Sequence, residues 1–159
     1  MGPMVHADLQ PLAFLLGTWR GEGKGEYPTI ASFAYGEEIR FWHVGKPFLA
    51  YSQRTWTLED ERPLHAEMGY WRPQPDGGVE VILAHPFGIA EIEIGAVTGQ
   101  RVELMTHVVE GSPTAKEVKR VERSIHVTGD VLAYDLRMAA VGQPITHHLH
   151  AELLRSVDE

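Results

Sequence analysis

The sequence contains no cysteine, and this absence excludes several kinds of site. Disulfide bonds, CxxC metal sites, a thiolate ligand to a metal and thioether attachment of a cofactor all require that residue. Any cofactor must therefore be held without a bond to a cysteine.

Positive charge and long apolar runs are also scarce. There are 14 basic and 22 acidic residues, the formal net charge is −8, and lysine and arginine form no cluster. No segment approaches the roughly 18 apolar residues that cross a bilayer, and the first ten residues, MGPMVHADLQ, lack the pattern of a secretion signal. We therefore expect no nucleic-acid partner, no membrane partner and a cytoplasmic location.

The chain has 159 residues, which is the usual size of one domain, and we predict a single domain over residues 1–159. Residues 7–16 carry apolar side chains at helical spacing, with Asp8 as a candidate cap and Pro11 inside the segment. This segment predicts one short N-terminal helix.

The rest of the chain consists of short runs rich in β-branched and aromatic residues, separated by turn sequences such as GKP, PDGG and TGD. This pattern predicts an all-β, antiparallel up-and-down barrel of about ten strands, because closing the sheet removes its exposed edges. A barrel of that size leaves an interior cavity. The predicted strands lie near residues 17–25, 31–43, 48–59, 64–73, 78–85, 89–97, 101–109, 116–126, 131–140 and 145–155.

Alternation within the strands indicates which side chains share a face. In strand 131–140, Tyr134, Leu136 and Met138 alternate with charged residues, whereas in strand 89–97 isoleucines interleave with two glutamates. Glu37 and Glu38 precede Arg40, and we interpret them as a solvated face with a salt-bridge partner. The chain has nine histidines, but no HxH pair is joined to a convincing third ligand, apart from the two histidines of the C-terminal HLH sequence.

Residues 17–28 read GTWRGEGKGEYP and match the pattern GxWxGxGxGxYP at every fixed position. GxW alone also occurs in lipocalins and fatty-acid-binding barrels, but the full pattern is typical of the nitrobindin family. Similar segments continue to the C-terminal HHLHAEL, so the chain resembles nitrobindins along nearly its whole length. The alternating glycines in this motif either let the barrel bend or let a large flat group approach the backbone.

The resemblance implies a ten-stranded barrel that holds a non-covalent ferric haem b in a shallow pocket. The iron ligand is a histidine in a C-terminal H-L-x-A segment, which here begins at His148. Matching residue by residue makes His148 the metal ligand and the catalytic residue. The other matched cofactor-binding positions are Leu64, His65, His85 and Met138, together with Thr29 and with Lys116, which would suit a haem propionate.

His147 and His150 are neighbouring alternatives for the iron ligand. Strict alternation places Leu149 and Leu153 on the face opposite to His148 and His150, so inward leucines would turn His148 outward. We expect instead that the N-terminal helix covers the outside of this strand. The leucines would then pack beneath the helix, and His148 and His150 would face the cavity.

The function implied by the resemblance is isomerisation of peroxynitrite to nitrate by the ferric haem, together with binding of nitric oxide. His65 would hydrogen-bond a bound anion, and the protein would be a monomer or a weak homodimer. Few charged side chains are expected in the pocket. The alternative is a lipocalin-like or fatty-acid-binding-like carrier of an apolar small molecule without catalysis. A Soret band with stoichiometric haem would distinguish the two.

Overall fold

The computed structural model describes residues 2–157, and its ten strands form a closed antiparallel barrel. Each strand pairs with its neighbours in chain order, and the first strand closes the barrel against the last. The predicted fold class is therefore confirmed, and every strand end lies within three residues of its predicted position. The strands are β1 (Gly17–Tyr27), β2 (Ile30–Trp42), β3 (Leu49–Trp56), β4 (Pro63–Pro73), β5 (Gly78–His85), β6 (Ile89–Thr98), β7 (Arg101–Gly111), β8 (Val118–Thr128), β9 (Val131–Ala140) and β10 (Thr146–Arg155).

The predicted N-terminal helix is a 3₁₀ helix at Ala7–Leu15, with Pro11 inside it. His6, rather than Asp8, caps the helix, because Nδ1 of His6 accepts a hydrogen bond from the backbone N–H of Asp8 at 3.1 Å. Its buried leucines belong to the same apolar cluster as inward side chains of the barrel. Among residues 2–157, no helix is long and apolar enough to cross a membrane.

The two ends of the barrel have different characters. The helix and its leucines close one end, where apolar side chains such as Trp19, Trp71 and Leu153 fill the interior. We call this the helix end. The connections that follow β1, β3, β5, β7 and β9 lie at the opposite end, which we call the far end. The apolar core therefore fills the helix end of the interior.

Alternation was interpreted correctly in β9 but incompletely in β6. Tyr134 and Leu136 are buried while Asp135 and Arg137 are exposed, as predicted. In β6 the two glutamates, Glu91 and Glu93, point into the barrel, whereas Ile94 lies on the outside. A period of two identifies two faces without saying which one is inside.

Candidate functional site

The positions matched to the family pattern gather at the far end of the barrel, although they are scattered along the sequence. This follows from the antiparallel order, which brings alternate connections to the same end. They are Thr29 in the β1–β2 turn, Leu64 and His65 at the start of β4, His85 at the end of β5, Lys116 between β7 and β8, Met138 near the end of β9 and His148 near the start of β10.

The imidazole of His148 is held in one orientation. Its Nδ1–H donates a hydrogen bond to the carbonyl oxygen of Glu26 at 2.9 Å, so Nε2 carries the free lone pair. The rings of Tyr27 and Phe33 lie edge-on to it, with centroid separations of 5.3 and 6.5 Å. Burial lowers the pKa of His148, against the opposing effect of the Glu26 carbonyl. A neutral, oriented imidazole with a free Nε2 is the form that binds a metal.

A β-bulge brings His148 to this position. The pairing of β10 with β9 shifts between His147 and Leu149, which inserts an extra residue into β10. Leu149 therefore packs against the core, while His148 still reaches the rings of Tyr27 and Phe33. The expectation that the helix covers the outside of this strand is wrong, because the leucines of the helix lie in the barrel core instead.

The other two histidines of β10 lie on the outer surface. Nδ1 of His150 is 2.9 Å from Oδ1 of Asp135, and the residue is exposed, so the expected inward orientation of His150 is wrong. His147 contacts the carboxylates of Glu26 and Asp135 at 3.0 and 3.2 Å. Both imidazoles therefore form surface contacts with acidic side chains.

The glycines of the first strand accommodate aromatic rings from the second. Gly23 pairs with Tyr35 and Gly25 pairs with Phe33, and a Cβ at either glycine would collide with the facing ring. The flat groups that approach the backbone are therefore side chains of β2. Because Phe33 also reaches His148, the glycine pattern helps to shape the surroundings of that histidine.

Charged side chains occupy the barrel interior between the two ends. Arg123 on β8 contacts Glu93 at 2.9 Å, Glu67 at 3.0 Å and Glu91 at 3.5 Å. Burial by itself would raise the pKa of the Glu67 carboxyl, but the charge of Arg123 and a hydrogen bond from His65 hold it well below its usual range. For Glu93, burial and the charge of Glu91 raise the pKa despite Arg123.

Glu37 is also an interior residue, so its interpretation as part of a solvated face is wrong. The hydroxyl of Tyr134 and Nε2 of Gln53 each donate a hydrogen bond to its carboxylate at 2.6 Å. Burial raises the pKa of Glu37 to about 7. Its neighbour Glu38 does lie on the outer face, where it pairs with Arg20 and Arg54 rather than Arg40.

A cluster of two histidines and a glutamate connects this interior to the far end. Nε2 of His65 lies 3.3 Å from Oε1 of Glu67 and 3.5 Å from Nδ1 of His85. The other nitrogen of His85, Nε2, lies 2.9 Å from Oε1 of Glu91. Beside this cluster, Leu64, His65 and Phe87 line a cleft of about 430 Å³.

Sequence reasoning missed several members of this region. Their spacing places His65 and Glu67 on one face of β4 and Glu91 and Glu93 on one face of β6. Alternation therefore groups these residues, but it does not show that their face is inside. Arg123 gave no such signal, because its contacts with β4 and β6 depend on closure of the barrel.

Comparisons with known proteins agree with this fold. The family model described as "THAP4-like, heme-binding beta-barrel domain" matches residues 8–155. The chain is 53% identical over 155 residues to peroxynitrite isomerase 2 of Mycobacterium marinum, covering 95% of this chain and 96% of that protein. It is 55% identical over 157 residues to peroxynitrite isomerase of Nocardia farcinica, covering 95% and 92%. The crystal structure of Rv2717c from M. tuberculosis superposes with a TM-score of 0.91 at 49% identity, covering 97% of this chain and all of that one.

Proposed function

We propose that this chain, which belongs to the THAP4-like haem-binding β-barrel family, is a haem b-dependent peroxynitrite isomerase. The observation that carries the proposal is the neutral, oriented imidazole of His148 with its Nε2 free at the far end of the barrel. The proposed reaction is the one for which the relatives are named. The proposed way of holding the cofactor rests on residues of this chain.

The residues at the far end fit a haem. An iron ligand needs one free imidazole nitrogen and a partner for the other, and the Glu26 carbonyl provides that partner at 2.9 Å. A porphyrin also needs apolar surface beside the ligand. Phe33, Leu64 and Phe87 expose apolar side chains at this end of the barrel. The absence of cysteine makes the attachment non-covalent.

In the proposed site, His148 would hold the iron through Nε2, and its hydrogen bond to the carbonyl oxygen of Glu26 fixes the plane of the ring. The edges of Tyr27 and Phe33 restrict its rotation. Thr29, Lys116 and Met138 remain proposed haem contacts, and Lys116 would suit a propionate because a carboxylate favours a cationic partner. Bound ferric haem would supply a Lewis-acidic iron at which peroxynitrite rearranges to nitrate.

The pocket residues would admit and orient the anion. The side chain of His65 is one-third exposed and lies at the cleft, where it would donate a hydrogen bond to a bound anion. The ring of Phe87 stacks on His65 at a centroid distance of 5.5 Å and limits its motion. Reversible binding of nitric oxide at the same iron is part of the proposal.

Replacement of His148 tests the ligand assignment. His148→Ala should abolish stoichiometric haem binding and leave the barrel folded, because the side chain is at the far end and outside the apolar core. His147→Ala is the matched control from the same strand and should keep a normal Soret band. Loss of the band in His147→Ala or His150→Ala, with retention in His148→Ala, would refute the assignment.

Stopped-flow kinetics tests the reaction. Ferric protein should accelerate peroxynitrite decay, increase the nitrate yield and decrease nitration of added tyrosine, and cyanide should suppress all three effects by occupying the iron. Decay that is unaffected by the protein would contradict the isomerase proposal. Faster decay with increased nitrotyrosine would indicate a nitrating peroxidase instead.

The alternative of an apolar carrier is less well supported, because four buried glutamates occupy the barrel interior. Colourless protein that fails to take up haemin would favour it. Some expectations from the sequence remain proposals. They are a single domain over residues 1–159, a cytoplasmic location, a monomer or weak homodimer, and the absence of nucleic-acid partners.

A further inference from the structure

A second group of potential ligands lies on β4 and β5, and two of its members, His65 and His85, are also residues of the proposed haem pocket. We propose that Nε2 of His65, Nδ1 of His85 and Oε1 of Glu67 bind a divalent transition-metal cation of the zinc type. This site is distinct from His148 and would be occupied together with the haem. None of its three ligand atoms is needed to hold the haem iron.

The spacing of the three atoms matches one face of a tetrahedron. They are separated by 3.3 Å (His65–Glu67), 3.5 Å (His65–His85) and 3.8 Å (His85–Glu67). Four ligands at about 2.0–2.1 Å from a zinc ion lie roughly 3.4 Å from one another. A single ion can therefore reach all three atoms with only small side-chain adjustments.

The hydrogen bonds that His85 and Glu67 make to other residues orient their proposed ligand atoms towards the ion. Nε2 of His85 donates to Glu91 at 2.9 Å, which directs the lone pair on Nδ1 towards His65 and Glu67. Oε2 of Glu67 accepts a hydrogen bond from Arg123 at 3.0 Å, while Oε1 faces the two imidazoles and lies 3.5 Å from Nη2 of Arg123. A histidine ligand whose second nitrogen is bound to a carboxylate is the usual arrangement around protein-bound zinc.

The surrounding charge also favours a cation. Glu67 and Glu91 are both buried against the single guanidinium of Arg123, so the carboxylates outnumber the positive charge even without Glu93. Among the described residues, Oε2 of Glu91 and Oε1 of Glu93 have no hydrogen-bond partner. A buried excess of negative charge costs free energy, and a dication within the cluster would offset it.

The ligand types restrict the choice of metal. Two imidazoles and one carboxylate favour Zn²⁺ and neighbouring transition metals over Mg²⁺ or Ca²⁺, which prefer oxygen ligands. The side chain of His65 is one-third exposed, so a fourth position can open towards the cleft and take water or a small anion. The competing explanation is a proton on Nε2 of His65 shared between Glu67 and His85.

Equilibrium dialysis of the haem-loaded protein against Zn²⁺, followed by metal analysis, separates these explanations. We expect one zinc per chain in addition to the haem iron. His65→Asn and Glu67→Gln should each weaken zinc binding by at least about 100-fold, while Glu91→Gln should weaken it by about 10- to 100-fold because it removes only an outer contact. His150→Asn on the outer surface is the control and should bind zinc normally.

Two further measurements keep the proposal refutable if a variant misfolds. Circular dichroism and the Soret band report the barrel and the haem independently of zinc. Anomalous diffraction from zinc-soaked crystals of the unmodified protein should place the ion between His65, His85 and Glu67. No zinc uptake by the unmodified protein, or an anomalous peak elsewhere, would overturn the proposal and leave the shared proton as the explanation.

Discussion

The buried carboxyl of Glu37 should make stability fall as the pH rises towards neutrality. Burial raises its pKa from an ordinary value of 4.5 to about 7 in the folded protein. Below pH 4.5 the carboxyl is protonated in both states, and its contribution to stability is fully present. Between these values the unfolded chain releases its proton while the folded protein keeps it, so stability is lost as the pH rises.

The size of the effect follows from the pKa difference. Because each pKa unit corresponds to about 1.4 kcal/mol, raising the pKa of Glu37 to about 7 predicts a loss of about 3 kcal/mol from this group by pH 8. Glu37→Gln removes the titration and keeps the size of the side chain. Gln53 can turn its amide to suit the new partner, since its Oε1 has no partner within residues 2–157.

Urea unfolding of both proteins at several pH values, with equal haem loading, measures this prediction. The stability of Glu37→Gln relative to the unmodified protein should increase by about 3 kcal/mol between pH 4.5 and pH 8. Despite partial burial of Glu38, hydrogen bonds from Arg54 and Arg20 lower its pKa, so the control Glu38→Gln should show no such change above pH 4.5. A constant difference for Glu37→Gln would refute the reasoning.

Three other predictions concern the cofactor and the far end of the barrel. Acid butanone should extract the haem and leave colourless protein, because no cysteine can form a thioether, and colour that stays with the polypeptide would contradict haem b. Gly23→Ala should cost about 1–3 kcal/mol in urea unfolding, since its Cβ would collide with the ring of Tyr35; unchanged stability would mean that the ring moves freely. Tyr27→Phe should also cost about 1–3 kcal/mol, measured by thermal unfolding, because the hydroxyl accepts from the buried N–H of Ala140 at 2.9 Å and donates to the carbonyl of Met138 at 3.0 Å. A melting temperature equal to that of the unmodified protein would show that water replaces these bonds.

Much of the fold could be predicted from the sequence, because the strands and turns are determined by residues that are close together in the chain. Turn residues separate runs of β-branched and aromatic residues, and these runs give the number, order and approximate ends of the strands. In an antiparallel barrel that order brings alternate connections to one end, so the gathering of Thr29, His65, His85 and His148 follows from the order of the strands. The family pattern was needed to select His148 among its neighbours.

Which side chains surround these residues could not be predicted from the sequence, because their contacts depend on closure of the barrel. The bulge between His147 and Leu149 allows a strand with inward leucines to direct His148 towards Tyr27 and Phe33, and alternation alone could not show this. Alternation also could not place Glu91 inside. A carboxylate is stable in the interior only with partners, and these partners, Arg123 and His85, come from other strands. The sequence by itself therefore determined the strands and the end of the barrel that carries the site, whereas the tertiary structure decided which polar groups face one another, because those contacts form only when distant strands close the barrel.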